Sequence, residues 1–178
     1  MPVRLADLHI ENFDPQKHQV QDFSSGDADL DDFLKNDAAR YQVEHLSHTR
    51  VAYLNGNIVA YLTLLSDCIV LETKEKKRLF SFHRRIYNFP ALKIGRLAVS
   101  EAQAKTGIGK ALLQYTIGLV IRMNADLRIG CRFITVDAYP GSIFWYQKHG
   151  FVFNKHYDDL GKTHPSMRYD ILKSPQIL

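Results

Sequence analysis

The run Leu92 to Val99, reading L-K-I-G-R-L-A-V, leads into Ala104 to Lys110, A-K-T-G-I-G-K, and from there into an apolar helical pattern. A strand that leaves through a glycine-rich turn into a helix restricts the chain to an α/β arrangement and does so at one defined place. Glycine lets the backbone turn sharply and approach a ligand closely. The N–H groups that open the following helix have no intrahelical acceptor and lie at the positive end of its dipole. The segment therefore reads as a cradle for a pyrophosphate, with an ordinary strand-to-helix turn as the alternative.

Two nucleotide-binding patterns are excluded at this position. The pattern G-x-x-x-x-G-K-S/T requires a hydroxyl residue after Lys110, where Ala111 stands, and G-x-G-x-x-G requires glycine where Leu112 stands. The segment instead resembles the cofactor loop of the GNAT superfamily of acetyl-CoA-dependent N-acetyltransferases, R/Q-x-x-G-x-G/A after a strand that often ends L-A-V. Leu97, Ala98 and Val99 match the strand end, and Gly107, Ile108 and Gly109 match the glycine core. Ala104 stands where the family has Arg or Gln. The resemblance implies that the main chain of Leu97 to Val99 and of Ala104, Lys105, Thr106, Gly107, Ile108, Gly109 and Lys110 holds acetyl-CoA. Lys105 and Lys110 add positive charge there, or are simply solvated lysines.

A second match lies at Phe144 to Phe151, F-W-Y-Q-K-H-G-F, similar to the GNAT segment F/L-Y-x-x-x-G-F. Gly150 is placed to end a helix in the left-handed region, with Lys148 and His149 in the last turn where positive charge is favoured. The resemblance makes Tyr146 the general acid. When an amine attacks the thioester of acetyl-CoA, the leaving thiolate needs a proton, and a phenol can donate one. Phe144, Trp145 and Phe151 equally allow a buried aromatic at Tyr146. The Asn that the family often carries seven residues earlier is Tyr139 here.

The remaining chain reads in α/β order. Val3 to Glu11 is an expected first strand, and Asp27 to Glu44 a helix with Leu30, Phe33, Leu34, Ala38 and Tyr41 at helical spacing. Val51 to Leu54 and Ile58 to Leu65 flank Asn55-Gly56, a pair suited to a type I′ hairpin turn. Lys74 to Arg85 reads as helix. Ile108, Ala111, Leu112, Tyr115, Leu119 and Met123 mark the buried face of a long helix. Phe133 to Asp137 is a short central strand, Gly141 to His149 the tyrosine helix, and Phe151 to Asn154 and Met167 to Leu172 the closing strands. The expected fold is thus α/β (α+β), a GNAT fold with a single mixed, mostly antiparallel sheet flanked by helices. It places the glycine loop between the fourth strand and the following helix, in one domain spanning residues 1–178.

A chain of 178 residues with 46% apolar and 24% charged residues suits one soluble domain with a sizeable core. Cys68 and Cys131 match no metal or redox spacing and read as buried reduced thiols, so no metal is expected. The amino terminus has no long apolar run, and nowhere do 18 apolar residues follow one another, which leads to an expectation of a cytoplasmic protein without membrane association.

The acceptor is addressed by Phe23 to Leu34, F-S-S-G-D-A-D-L-D-D-F-L, which resembles the opening of the GNAT branch containing toxins of toxin-antitoxin modules. That resemblance implies the amino group of aminoacyl-tRNA as acceptor, a small DNA-binding antitoxin as partner, and a homodimer as a frequent state. The net charge of +4 favours a polyanionic partner, and Lys74, Lys76, Lys77, Arg78, Arg84 and Arg85 concentrate basic charge. With Phe80, Phe82 and His83 among them, these residues form an RNA-facing patch or a solvated helix face. Lys93 and Arg96 stand where some GNAT enzymes carry a glutamate base, and the amine of an aminoacyl ester, partly neutral at pH 7, has less need of one. A small-molecule or protein amine is the alternative acceptor, and a non-catalytic module binding CoA or RNA the alternative class.

Overall fold

The structure, a computed structural model, describes residues 2–80, 86–154 and 163–173. It contains strands β1 (His9–Asn12), β2 (His48–Leu54), β3 (Asn57–Val70), β4 (Asn88–Val99), β5 (Phe133–Asp137), β6 (Val152–Phe153) and β7 (Ser166–Asp170). The helices are α1 (Ala28–Asp32), α2 (Ala38–Val43), α3 (Thr73–Leu79), α4 (Ile108–Ala125) and α5 (Ile143–Lys148). The seven strands form one mixed, mostly antiparallel sheet in the order β1-β2-β3-β4-β5-β7-β6. By contacts the chain divides into Met1–Leu65 with Ile94–Thr116, and Ser66–Lys93 with Ile117–Leu178.

In the first unit the β2–β3 hairpin turns at Asn55 (φ 51°) and Gly56 (φ 82°), the positive pair that a type I′ turn requires. The expected first strand is shorter than Val3 to Glu11. Arg4 N–H donates to Asp7 at 2.9 Å, folding Leu5–Asp7 into a 3₁₀ turn before β1 begins. The expected helix over Asp27 to Glu44 is broken in its middle. Asp27 caps α1 by accepting from the N–H groups of Asp29 and Leu30, Phe33–Asp37 then form a π turn, and α2 follows. Phe33, Leu34 and Ala38 pack with Phe13, Phe23, Val51, Tyr61 and Ala98, so this face is held by aromatic and aliphatic burial. The Tyr61 hydroxyl, buried in that core, donates to Leu30 O at 2.7 Å. In the same unit, Glu11 is paired with Lys17 at 2.5 Å and with the buried His18 ring at 3.0 Å.

The second unit has a core of Ile69, Leu71, Phe89, Ala91 and Phe133. β5 pairs antiparallel with β7 from Phe133↔Asp170 to Asp137↔Ser166. The closing strands are trimmed relative to expectation, because Ile171–Lys173 coil into a 3₁₀ turn after Asp170. α3 is bound to this unit by a buried ion pair from Arg168 to Glu75, and Arg168 also donates to Phe153 O and Asn154 O. Cys131 is buried, and burial raises its thiol pKa to about 11. Cys68 is exposed, contrary to the expectation of two buried thiols. It lies near the end of β3, where the strand's burial alternates.

Candidate active site

The residues that carry the candidate chemistry fall in both units. In the first, β4 ends at Val99 and a 3₁₀ turn, Glu101–Gln103, precedes the segment Ala104 to Lys110. Lys105 (φ 62°) and Gly107 (φ 102°) both adopt the left-handed region. Glycine is required at 107 for a second reason, since a Cβ there would stand 3.1 Å from Val3 O and 3.3 Å from Pro2 Cβ. Val3 N–H donates to Thr106 O at 2.8 Å, and the Thr106 hydroxyl donates to Gln103 O at 2.7 Å, so the turn is fixed from both sides. α4 then starts with Ile108 buried, and Ala111 N–H is already bonded back to Gly107 O. The N–H groups of the first turn lack intrahelical acceptors by geometry, and Lys105 and Lys110 are exposed beside them.

The Phe23–Asp27 segment is joined to the same turn. Glu101 N–H donates to Ser24 O at 2.9 Å, the Ser24 hydroxyl donates to Glu101 at 3.1 Å, and Gly26 (φ 81°) leaves room for the Glu101 side chain. In the sequence these read as separate motifs. Nothing local in either one encodes their pairing across 77 positions.

In the second unit, α5 follows a 3₁₀ turn at Pro140–Ser142 and carries Tyr146. Gly150 (φ 88°) ends it in the left-handed region, with the Tyr169 ring 3.1 Å from where a Cβ would sit. Tyr146 is 6% exposed. Its ring meets Trp145 and Phe151 edge-on, at centroid distances of 4.9 and 5.1 Å. Burial holds its hydroxyl pKa well above the ordinary value of 10, so at neutral pH it is a phenol with its proton in place. Tyr139, in place of the family's Asn, packs edge-on against the His164 ring at 4.5 Å.

β4 presents cations where a glutamate base would stand: Lys93 is paired with Asp137 at 2.6 Å, and Arg96 lies over Phe33. Of the basic segment, Lys74, Lys77 and Arg78 are exposed on α3. Lys76 is turned inward, donating to Ile86 O and standing 5.1 Å from the Tyr87 ring centroid, which removes it from an outer patch. Arg84 and Arg85 lie outside the described residues. Among the described residues no group of three His, Cys, Asp or Glu is placed to hold a metal ion, and no helix is long and apolar enough to cross a membrane.

The sequence profile of the acetyltransferase (GNAT) domain matches residues 45–153. The chain belongs to the GNAT acetyltransferase family. This acetyltransferase is 30% identical over 119 residues to a tRNA-acetylating toxin of Mycobacterium tuberculosis, a match spanning 67% of this chain and 69% of the relative. Its fold is similar to that of AtaT complexed with acetyl-methionyl-tRNAfMet, with a TM-score of 0.75 at 20% identity over 92% of this chain and 95% of that one. It is similar also to a tyrosine-to-phenylalanine mutant of AtaT bound to the C-terminus of the antitoxin AtaR and acetyl-CoA. There the TM-score is 0.71 at 21% identity, over 93% and 94% of the two chains. The acetyltransferase is an acetyl-CoA-dependent enzyme, and its acyl donor is the thioester cofactor.

Proposed function

We propose that this acetyltransferase transfers the acetyl group of acetyl-CoA to the amino group of aminoacyl-tRNA. The observation that carries the acceptor is the identity to the mycobacterial tRNA-acetylating toxin over two thirds of both chains. In this reading the main chain of Leu97 to Val99 and the Ala104 to Lys110 turn hold the cofactor, their N–H groups taking the pyrophosphate oxygens. The acceptor amine attacks the thioester carbonyl, and the C–S bond breaks as the amide C–N bond forms. Tyr146 gives its proton to the departing thiolate, and the proton the amine loses passes to solvent, from which Tyr146 is reprotonated. The buried, protonated state of Tyr146 supports that role, since a donor must hold its proton at the working pH. Exposed Lys74, Lys77 and Arg78 supply part of the attraction for the RNA. A single domain over residues 1–178, cytoplasmic residence, a homodimer and a small DNA-binding antitoxin as partner belong to the same reading.

A small-molecule or protein amine is the second reading, favoured by the inward turn of Lys76, which thins the basic face. Acetyl transfer from labelled acetyl-CoA to charged tRNA, beside deacylated tRNA and a panel of polyamines and peptides, separates the two. Label on charged tRNA alone, lost in Tyr146→Phe, is the expected result. Label on amines and none on tRNA would discard the RNA acceptor. A rate comparison across amines of differing pKa adds a further check: basic alkylamines reacting equally well at neutral pH would contradict the reading that an aminoacyl ester amine needs no base on β4.

A further inference from the structure

Arg96 occupies the β4 position just before Leu97 to Val99, and among the described residues its guanidinium makes one hydrogen bond. Its guanidinium carbon lies over the Phe33 ring, 5.0 Å from the centroid, within cation–π range. One of its Nη1 hydrogens is donated to Gly95 O at 3.0 Å. Asp29 Oδ2 stands 3.8 Å from Nε, near enough for charge attraction but beyond hydrogen-bond length. Nε itself is enclosed and has no acceptor among the described residues. A guanidinium has five N–H donors, and an enclosed donor without an acceptor is a rare and costly state that points to a missing partner. With 35% of the side chain open to solvent, a ligand can approach the guanidinium from its exposed N–H groups.

A second feature of the chain meets it at the same place. Phe33, the ring beneath the guanidinium, opens the π turn that interrupts an otherwise continuous helical pattern. Such turns concentrate at functional sites. Arg96 and Ala98 share one face of β4 by strand alternation, and Ala98 packs in the cluster that contains Phe33 and Leu34. The fork of Arg96 therefore lies over Phe33 on the helical side of the strand end that the proposed function assigns to the cofactor.

A planar cation of this kind suits an oxyanion taken by two parallel N–H groups. We propose that Arg96 anchors the acceptor by binding a phosphodiester oxygen at the tRNA 3′ end, with Phe33 setting the orientation of the guanidinium. This rests on the aminoacyl-tRNA reading and adds a specificity residue to it. Asp29 neutralises Arg96 in the free enzyme and gives way to the phosphate on binding.

The test uses the full chain with two acceptors, charged tRNA and an aminoacylated adenosine that lacks any phosphate, together with binding of a CCA-ended RNA oligonucleotide across salt concentrations. Arg96→Met, which keeps an apolar stem over Phe33, is expected to raise KM for charged tRNA by about tenfold or more. It should leave KM for the adenosine acceptor within about twofold and reduce the salt slope of oligonucleotide binding by about one. Arg96→Lys should restore the slope but only part of the affinity, because it keeps the charge and loses the fork. Equal KM changes on both acceptors, or an unchanged slope, overturn the assignment. Should Arg96→Met fail to fold, Arg96→Lys decides by the same KM comparison. A wild-type enzyme that acetylates peptides or the adenosine acceptor and never charged tRNA overturns the underlying reading. A wild type active on tRNA, with both variants indifferent, overturns Arg96 alone.

Discussion

In the turn between β4 and α4, the groups that the proposed cofactor site would use are main-chain N–H groups, fixed by Val3, Gln103 and Glu101 and by two left-handed residues. In α5 the candidate chemistry rests on one hydroxyl, that of Tyr146, set among the rings of Trp145 and Phe151. The first arrangement tolerates changes of side chain and is sensitive to changes of backbone. The second has the opposite character. On the proposed reading, Ala104 can replace the family's Arg or Gln because the N–H groups remain, and position 146 would have no comparable freedom.

The largest effect that would break this contrast is at the hydroxyl. Tyr146→Phe is expected to lower kcat by about 10²-fold or more, with acetyl-CoA affinity by calorimetry and melting temperature unchanged; a loss of cofactor binding would mean that the tyrosine acts structurally. Burial favours the neutral phenol, so the folded pKa lies above the unfolded value near 10. The acid form should persist through that value, and the rate of the wild type should not fall on account of this group below about pH 10.

Next in size is the backbone. Gly107→Ala places a Cβ against Val3 O at a positive φ and is expected to destabilise the protein by about 1–3 kcal/mol while weakening acetyl-CoA binding, read by thermal melting with and without cofactor. Unchanged melting would show that the turn is less constrained than its contacts indicate. Ala104→Arg sharpens the same comparison from the other side. Its acetyl-CoA Kd should change by less than about threefold, within the range of a surface charge, if the main chain holds the cofactor.

On the exposed face of α3, replacing Lys74, Lys77 and Arg78 together by Gln should reduce the salt slope of tRNA binding by up to about one for each phosphate no longer neutralised, with little change toward a small amine. The smallest effect is at Glu11, whose pairing with Lys17 and His18 lowers its pKa to about 2 from 4.5. A depressed carboxylate contributes stability that is present above the unfolded value and is lost as pH falls toward the folded one. Melting temperature should therefore decline between about pH 5 and 2 more steeply in the wild type than in Glu11→Gln.

Where local chemistry decides the conformation, the sequence is readable. Asn55-Gly56 and Gly150 adopt the positive φ that their residue types suggest, and the β5 bounds coincide with expectation. Where partners distant in the chain decide it, local patterns mislead. The π turn at Phe33–Asp37, whose Phe33 and Leu34 pack with Phe13, Val51 and Ala98, and the inward Lys76, bonded to Ile86 O, each involve contacts that no local pattern records. The candidate site divides the same way: Tyr146 and the glycine positions are visible as motifs, whereas the enclosed Nε of Arg96 becomes visible only once Phe33 and Asp29 are placed around it.

The junction of Gly26 with Glu101 has an evolutionary consequence. The space a Cβ would need at position 26 is filled by the Glu101 carboxylate, 2.9 Å away. The positive φ at Gly26 restricts the position independently of that space. Among homologues, a residue other than glycine at 26 should therefore be Asn or Asp, which tolerate the left-handed region, and should co-occur with a shorter side chain at 101.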